Sequence, residues 1–228
     1  MTDTRRSAAD RATVLCDLQR YDEALSLLAP ALAADPEDPR LHCLAARAHL
    51  GSGDVQRGLD HARTAAALDP DSDWPHRLLS LAEMQRENYQ AAVRAAREAV
   101  RLAPYLPETH IQLAYALLEL PWGNAEATDA ATKALELAPD DPDAHLVAGA
   151  VAAAGQRKDE AEAQFNRVLS LDPDNTAAHN ELARLHLKKR NIGNPGGLGQ
   201  AAAGFATAVA ADGVLLWVHR SAQESAVA

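Results

Sequence analysis

The sequence predicts an all-α protein, an α-solenoid of about six helix–turn–helix repeats followed by a short C-terminal segment. Three observations predict it. The first is composition: of 228 residues, 47% are AVILMFWYC but only 4% are aromatic. The apolar half is therefore mostly Ala and Leu, strong helix formers, while the β-branched and aromatic residues that favour strands are scarce. The second is a ruler of prolines, Pro36, Pro70, Pro104, Pro139 and Pro173, at gaps of 34, 34, 35 and 34 residues. Proline cannot continue a helix and pushes its predecessor out of the α region, so each mark ends one helix and opens the turn to the next. The third is a set of small residues at fixed places before each proline. The triples are Ala12/Ala24/Ala31, Ala46/Gly58/Ala65, Ser80/Ala92/Ala99, Ala114/Ala127/Ala134 and Gly149/Ala161/Val168. The last two of each triple share one helical face. Short side chains there let antiparallel helices approach closely, and larger residues such as Leu28, Leu79, Leu113, Phe165 and Leu182 fill the gaps.

The ruler divides residues 1–213 into repeats at about 5–38, 39–72, 73–106, 107–141, 142–175 and 176–213. The first opens with a polar helix carrying Arg5, Arg6, Asp10 and Arg11, suited to cover the N-terminal end of a stack. The next three turn at Gly51-Ser52-Gly53-Asp54, at Glu87-Asn88-Tyr89 and at Gly123-Asn124. In the fourth repeat one extra residue falls at Pro121-Trp122-Gly123, where the proline ends the first helix early. The fifth turns at Gly155-Gln156-Arg157. In the sixth, Asn175 to Lys189 reads as a first helix, followed by a loop of breakers from Arg190 to Gly197. Beyond it Ala201, Phe205, Ala208 and Asp212 match Ala161, Phe165, Val168 and Asp172 at a constant offset of 40 residues. The turn therefore carries an insertion near 190–198, either a tolerated surface loop or a contact for a partner. Residues 214–228 hold the apolar run Val214-Leu215-Leu216-Trp217-Val218. This run reads as a capping helix, as a sticky segment for a partner or a second copy, or as an end within a longer protein.

A 34-residue helix–turn–helix with small residues at positions 8, 20 and 27 and proline at 32 resembles the tetratricopeptide repeat family. The chain departs from it at position 4, usually aromatic, where His42, His76, His110, His145 and His179 stand. The resemblance implies a right-handed superhelix whose first helices line a concave groove, chiefly through positions 2, 5, 9, 12 and 13. Carried onto this chain, the groove residues are Arg47, Trp74, Arg77, Leu81, Met84, Ile111, Tyr115, Leu118, Leu146 and Arg184. An apolar trough with charged ends suits an extended peptide or an amphipathic helix, with Trp74, Tyr115 and the arginines as anchors. Packing within the array is the competing use of the same side chains. The Lys and Asn set of the family's chaperone-tail clamps is missing: the pairs at positions 5 and 9 run Ala9/Thr13, Cys43/Arg47, Arg77/Leu81, Ile111/Tyr115, Leu146/Ala150 and Asn180/Arg184.

Other chemistry finds little support. A net charge of −10 leaves no basic stripe for nucleic acid or anionic lipid. Much of that acidity sits at the inter-repeat turns, as in Asp35, Asp38, Asp69, Asp141 and Asp172, where carboxylates cap helix N-termini. Cys16 and Cys43 form no CxxC pair and suit a reducing compartment. No apolar signal region opens the chain and no uncharged run reaches the ~18 residues of a membrane span, so a cytoplasmic location is expected. The five histidines suggest a metal ladder, but neighbouring first helices lie about 10 Å apart, and zinc ligands stand about 2 Å from their ion. They are expected to fill the repeat's aromatic position. No metalloprotease, nucleophile-elbow or phosphate-loop motif is present. The expectation is a non-enzymatic scaffold, without cofactor or metal, that binds a protein or peptide segment in its groove. The alternative is a homo-oligomeric structural protein joined through the apolar tail.

Overall fold

The computed structural model describes residues 2–121 and 123–191, which contain eleven helices and no strand. They are α1 (Thr2–Asp17), α2 (Tyr21–Ala34), α3 (Pro39–Ser52), α4 (Val55–Leu68), α5 (Asp73–Gln85), α6 (Tyr89–Leu102), α7 (Pro107–Leu118), α8 (Asn124–Leu137), α9 (Pro142–Ala154), α10 (Lys158–Leu171) and α11 (Thr176–Asn191). The described residues fall into two compact units, one ending at Ala103 and one starting at Pro104. In the first, α1/α2, α3/α4 and α5/α6 pack as pairs, and α1, α3 and α5 also touch in sequence. In the second, α7/α8 and α9/α10 pair, α11 packs on α10, and α7, α9 and α11 touch in sequence. The expected all-α class of stacked helical repeats is observed. The second half of the sixth repeat, most of the 190–198 insertion and the 214–228 tail lie outside the described residues.

The helix ends follow from local chemistry. Asp35, Asp69, Ala103, Ala138 and Asp172 each close a second helix by donating their backbone N–H to the carbonyl four residues back, and proline follows at once. Asp38 then caps α3, its carboxylate accepting from the Arg40 and Leu41 amides at 2.8 and 3.3 Å. Asp141 does the same for α9 through Asp143 N at 2.9 Å, and Asn175 Oδ1 for α11 through Ala178 N at 3.0 Å. These caps satisfy amides that the helix leaves unpaired. The histidines add a second tie across the same turn. Nε2 of His42, His110, His145 and His179 donates to the carbonyls of Pro36, Pro104, Pro139 and Pro173, each at 2.9 Å. Position 4 thus binds α3, α7, α9 and α11 to the proline six residues before it.

Within pairs, the reversal rests on one left-handed residue. Gly53 takes it at φ 86°, and Gln19, Glu87 and Gln156 at φ 56°, 59° and 60°. The fourth repeat differs. There α7 stops at Leu118, and Gly123 sits against the Leu117 carbonyl, where no side chain could fit.

All fifteen residues of the small-residue triples are buried. A Cβ on Gly58 would stand 2.6 Å from Leu50 Cγ, and one on Gly149 would run into the Phe165 ring. Phe165, the largest of the fully buried side chains, therefore enters opposite a glycine. It packs with Leu146, Ala161, Val168 and Ala178. The first unit buries Leu28, Leu41 and Leu44 with the alanines around them. Among the described residues no helix is long and apolar enough to cross a membrane.

Candidate partner-binding face

In each unit the first helices of the repeats pack against one another in sequence. In the first unit Arg47 projects from α3 and is only 2% exposed. Its Nη2 donates to Asp17 Oδ1 of α1 at 2.6 Å, while its Nη1 is buried without a hydrogen-bond partner. A guanidinium loses much hydration on burial, and one carboxylate restores part of that loss. Arg77 is likewise buried, its Nε donating to Asp73 Oδ2 one turn earlier on α5 at 2.7 Å. Leu81 and Met84 are buried beside it along the same helix. Trp74 is half-buried and packs on the core made by α1 to α3. Gln85 ends α5 with its Nε2 donating to the Leu50 carbonyl at 3.5 Å, and its Oε1 is buried without a partner.

In the second unit Ile111 and Tyr115 on α7 and Leu146 on α9 are buried, whereas Leu118 is half-buried. Burial holds the Tyr115 hydroxyl far above its ordinary pKa, and the carboxylates of Asp143 and Glu181 add to it, so it stays a neutral phenol. Arg184 on α11 donates through Nη1 to Glu181 Oε1 at 2.9 Å. Glu119 is raised by burial. Glu108 and Gln112 are buried on α7 as well.

Of the ten residues expected from sequence, five lie in each unit. Seven of them are buried in the chain and Trp74, Leu118 and Arg184 are half-buried. Asp17, Asp73 and Glu181, which position the three arginines, were not anticipated. Asp73 and Glu181 carried a signal, since each stands four or three residues before its arginine on one helical face. Asp17 lies 30 residues from Arg47, a cross-repeat contact no local pattern marks. The thiols of Cys16 and Cys43 are buried, Cys16 being pushed up to about 11 by desolvation and Cys43 also raised by burial, which makes both inert. Among the described residues no group of three or more His, Cys, Asp and Glu is placed to hold a metal ion.

Comparison with known proteins agrees with this architecture. Two family models described as tetratricopeptide repeat match the chain, one over residues 15–82 and the other over 123–176 and 156–213. No curated protein matches. Among solved structures, the chain is similar to TTC0263, a thermophilic TPR protein of Thermus thermophilus. The TM-score is 0.73 at 25% identity, over 80% of this chain and 99% of that one. It is also similar to the MamA protein, with a TM-score of 0.57 at 19% identity over 76% of this chain and 94% of that one. YrrB, a TPR protein with an unusual peptide-binding site, matches with a TM-score of 0.55 at 20% identity, over 80% of this chain and 90% of that one. Proline-marked helix pairs, buried small-residue triples and these matches share one explanation: the chain belongs to the tetratricopeptide repeat family.

Proposed function

We propose that this chain is a non-enzymatic protein-interaction scaffold that holds a peptide or helical segment of a partner on the face of its first helices. Family membership supports protein interaction in general terms. The finer reading rests on Arg47. Its guanidinium is fixed by Asp17, yet a second N–H edge is buried with nothing to accept it. A buried donor left unpaired costs about 1–3 kcal/mol, and an acceptor brought by a ligand removes that cost. Gln85 Oε1 has the opposite need, a donor, and its amide reaches the Leu50 carbonyl one turn beyond Arg47 on α3. A peptide backbone offers both a carbonyl and an N–H. Trp74, half-buried beside the α1 to α3 core, adds an aromatic surface of the kind that anchors partners.

The test is affinity purification on the immobilised chain, with captured proteins identified by mass spectrometry and bound segments remeasured as peptides. Arg47→Lys keeps a positive charge beside Asp17 but removes the spare edge of the fork. It should weaken a captured peptide about tenfold, the equivalent of one hydrogen bond to a charged group, while circular dichroism stays unchanged. Equal affinity in the folded variant would remove Arg47 from the reading.

A further inference from the structure

His42, His49 and His61 form a cluster between α3 and α4 that the partner-binding reading leaves unused. Nδ1 of His42 lies 2.9 Å from Nδ1 of His61, and the two rings sit 5.1 Å apart at 42°. His49 stacks on His61 at 5.5 Å and 10°. The protons can be assigned from the partners. His42 Nε2 faces the Pro36 carbonyl, which only accepts, so Nε2 carries a proton. In neutral His42, Nδ1 is then an acceptor, and the proton between the two rings belongs to His61 Nδ1. A second positive charge in this pair would set N–H against N–H, and any charge on His61 would lie against the stacked His49 ring. Three separate histidines in an unfolded chain each take a proton below about pH 6.5. The folded cluster cannot.

The fifth repeat supplies an internal control. His145 stands where His42 does, and Gln164, also 19 residues later, stands where His61 does. His145 Nδ1 lies 2.6 Å from Gln164 Oε1, and its Nε2 lies 2.9 Å from the Pro139 carbonyl. An amide offers either an oxygen or an N–H, so this pair accommodates a neutral or a charged imidazole. One chain thus carries two versions of the same contact, with a second imidazole as the partner in one and an amide in the other.

We propose that the His42–His61–His49 cluster makes the α3–α4 pair an acid-sensitive element, which loosens as the pH falls below about 6.5 while the α9–α10 pair holds. The charged surroundings do not offset this. His42 and His49 face His61 from α3, and Asp60 and Arg57 act on it from α4 itself with opposite signs. Asp54, in the turn, lies 3.9 Å from His49 Nδ1. From α5, which also packs on α4, Glu83 meets Arg63. Burial first, and then the neighbouring rings, hold His61 down to about 4, and burial lowers His49 too. The sign follows: a folded pKa below the unfolded one means the unfolded chain binds more protons as pH falls from about 6.5 toward 4, so stability is lost over that window.

Hydrogen exchange by mass spectrometry at pH 7 and pH 5, corrected for intrinsic rates, tests it. Opening of α3–α4 should rise on the order of tenfold relative to α9–α10. His61→Gln, which copies the fifth repeat, should abolish the difference. An equal rise in both pairs, or a full response in His61→Gln, would overturn the proposal. Proton NMR of the histidine rings in the unaltered chain gives a second test that needs no variant: a His61 ring titrating at its ordinary value contradicts it.

Discussion

Arg47 and Asp17 stand 30 residues apart in the chain and 2.6 Å apart in space, and both are largely removed from water. Removing one member of such a pair leaves the other charge buried without compensation. Asp17→Ala should therefore destabilise the protein by about 3 kcal/mol, read from urea unfolding at pH 7. Asp17→Ala with Arg47→Met should cost clearly less than the two single changes added together. A sum that is simply additive would mean the two charges do not act as a pair. The sequence named Arg47 through its place in the repeat, because position is periodic and visible. It did not name Asp17, because the contact joins position 13 of one repeat to position 9 of the next. Nor did it separate a side chain that lines a face from one buried in it: Tyr115 reads as a groove anchor or as packing within the array, and it is 5% exposed. Periodicity places a residue on a helix face. What covers that face depends on contacts distant in sequence.

At the scale of the element, steric requirements were the most legible. Small residues recur because two helices must approach closely at those points, and a requirement repeated five times shows itself as a spacing. Gly149 is the sharpest case, since a Cβ there meets the Phe165 ring. Gly149→Ala should destabilise by about 1–3 kcal/mol through overpacking. Phe165→Leu in the same chain should recover part of that loss, and a thermal-unfolding cycle over the four proteins checks it. The turns offer a change of opposite sign. Gln156 holds φ at 60°, a conformation that costs a residue with a Cβ about 1 kcal/mol and glycine much less. Gln156→Gly should raise the unfolding midpoint, as the equivalent Gly53 turn already uses that residue. A lowered midpoint would show that the Gln156 side chain contributes more than its backbone costs. The histidine ladder was read in part. Its position as a packed ring replacement was expected, but its bond to the proline carbonyl was not. The constant distance of six residues from each proline was the available signal.

For the whole molecule, the repeat ruler explains why composition alone first suggested only a helical protein. The alanines are helix contacts, several acids are caps, and the prolines punctuate one motif used again and again. The division at Ala103 and Pro104 left no mark in the sequence, because the turn there carries the same proline as the others and the same histidine tie as the turns at Pro36, Pro139 and Pro173. What the repeats hold in common is a set of first helices packed in sequence within each unit, α1, α3 and α5 in one and α7, α9 and α11 in the other. The central claim is that a partner segment lies on first helices. Hydrogen exchange of the chain with and without a captured partner peptide tests it most directly. Slowed exchange should fall on the first helices, including the stretch around Arg47 on α3, and leave α2, α4 and α6 unchanged. Protection confined to those second helices, or none anywhere at saturating peptide, would contradict the account.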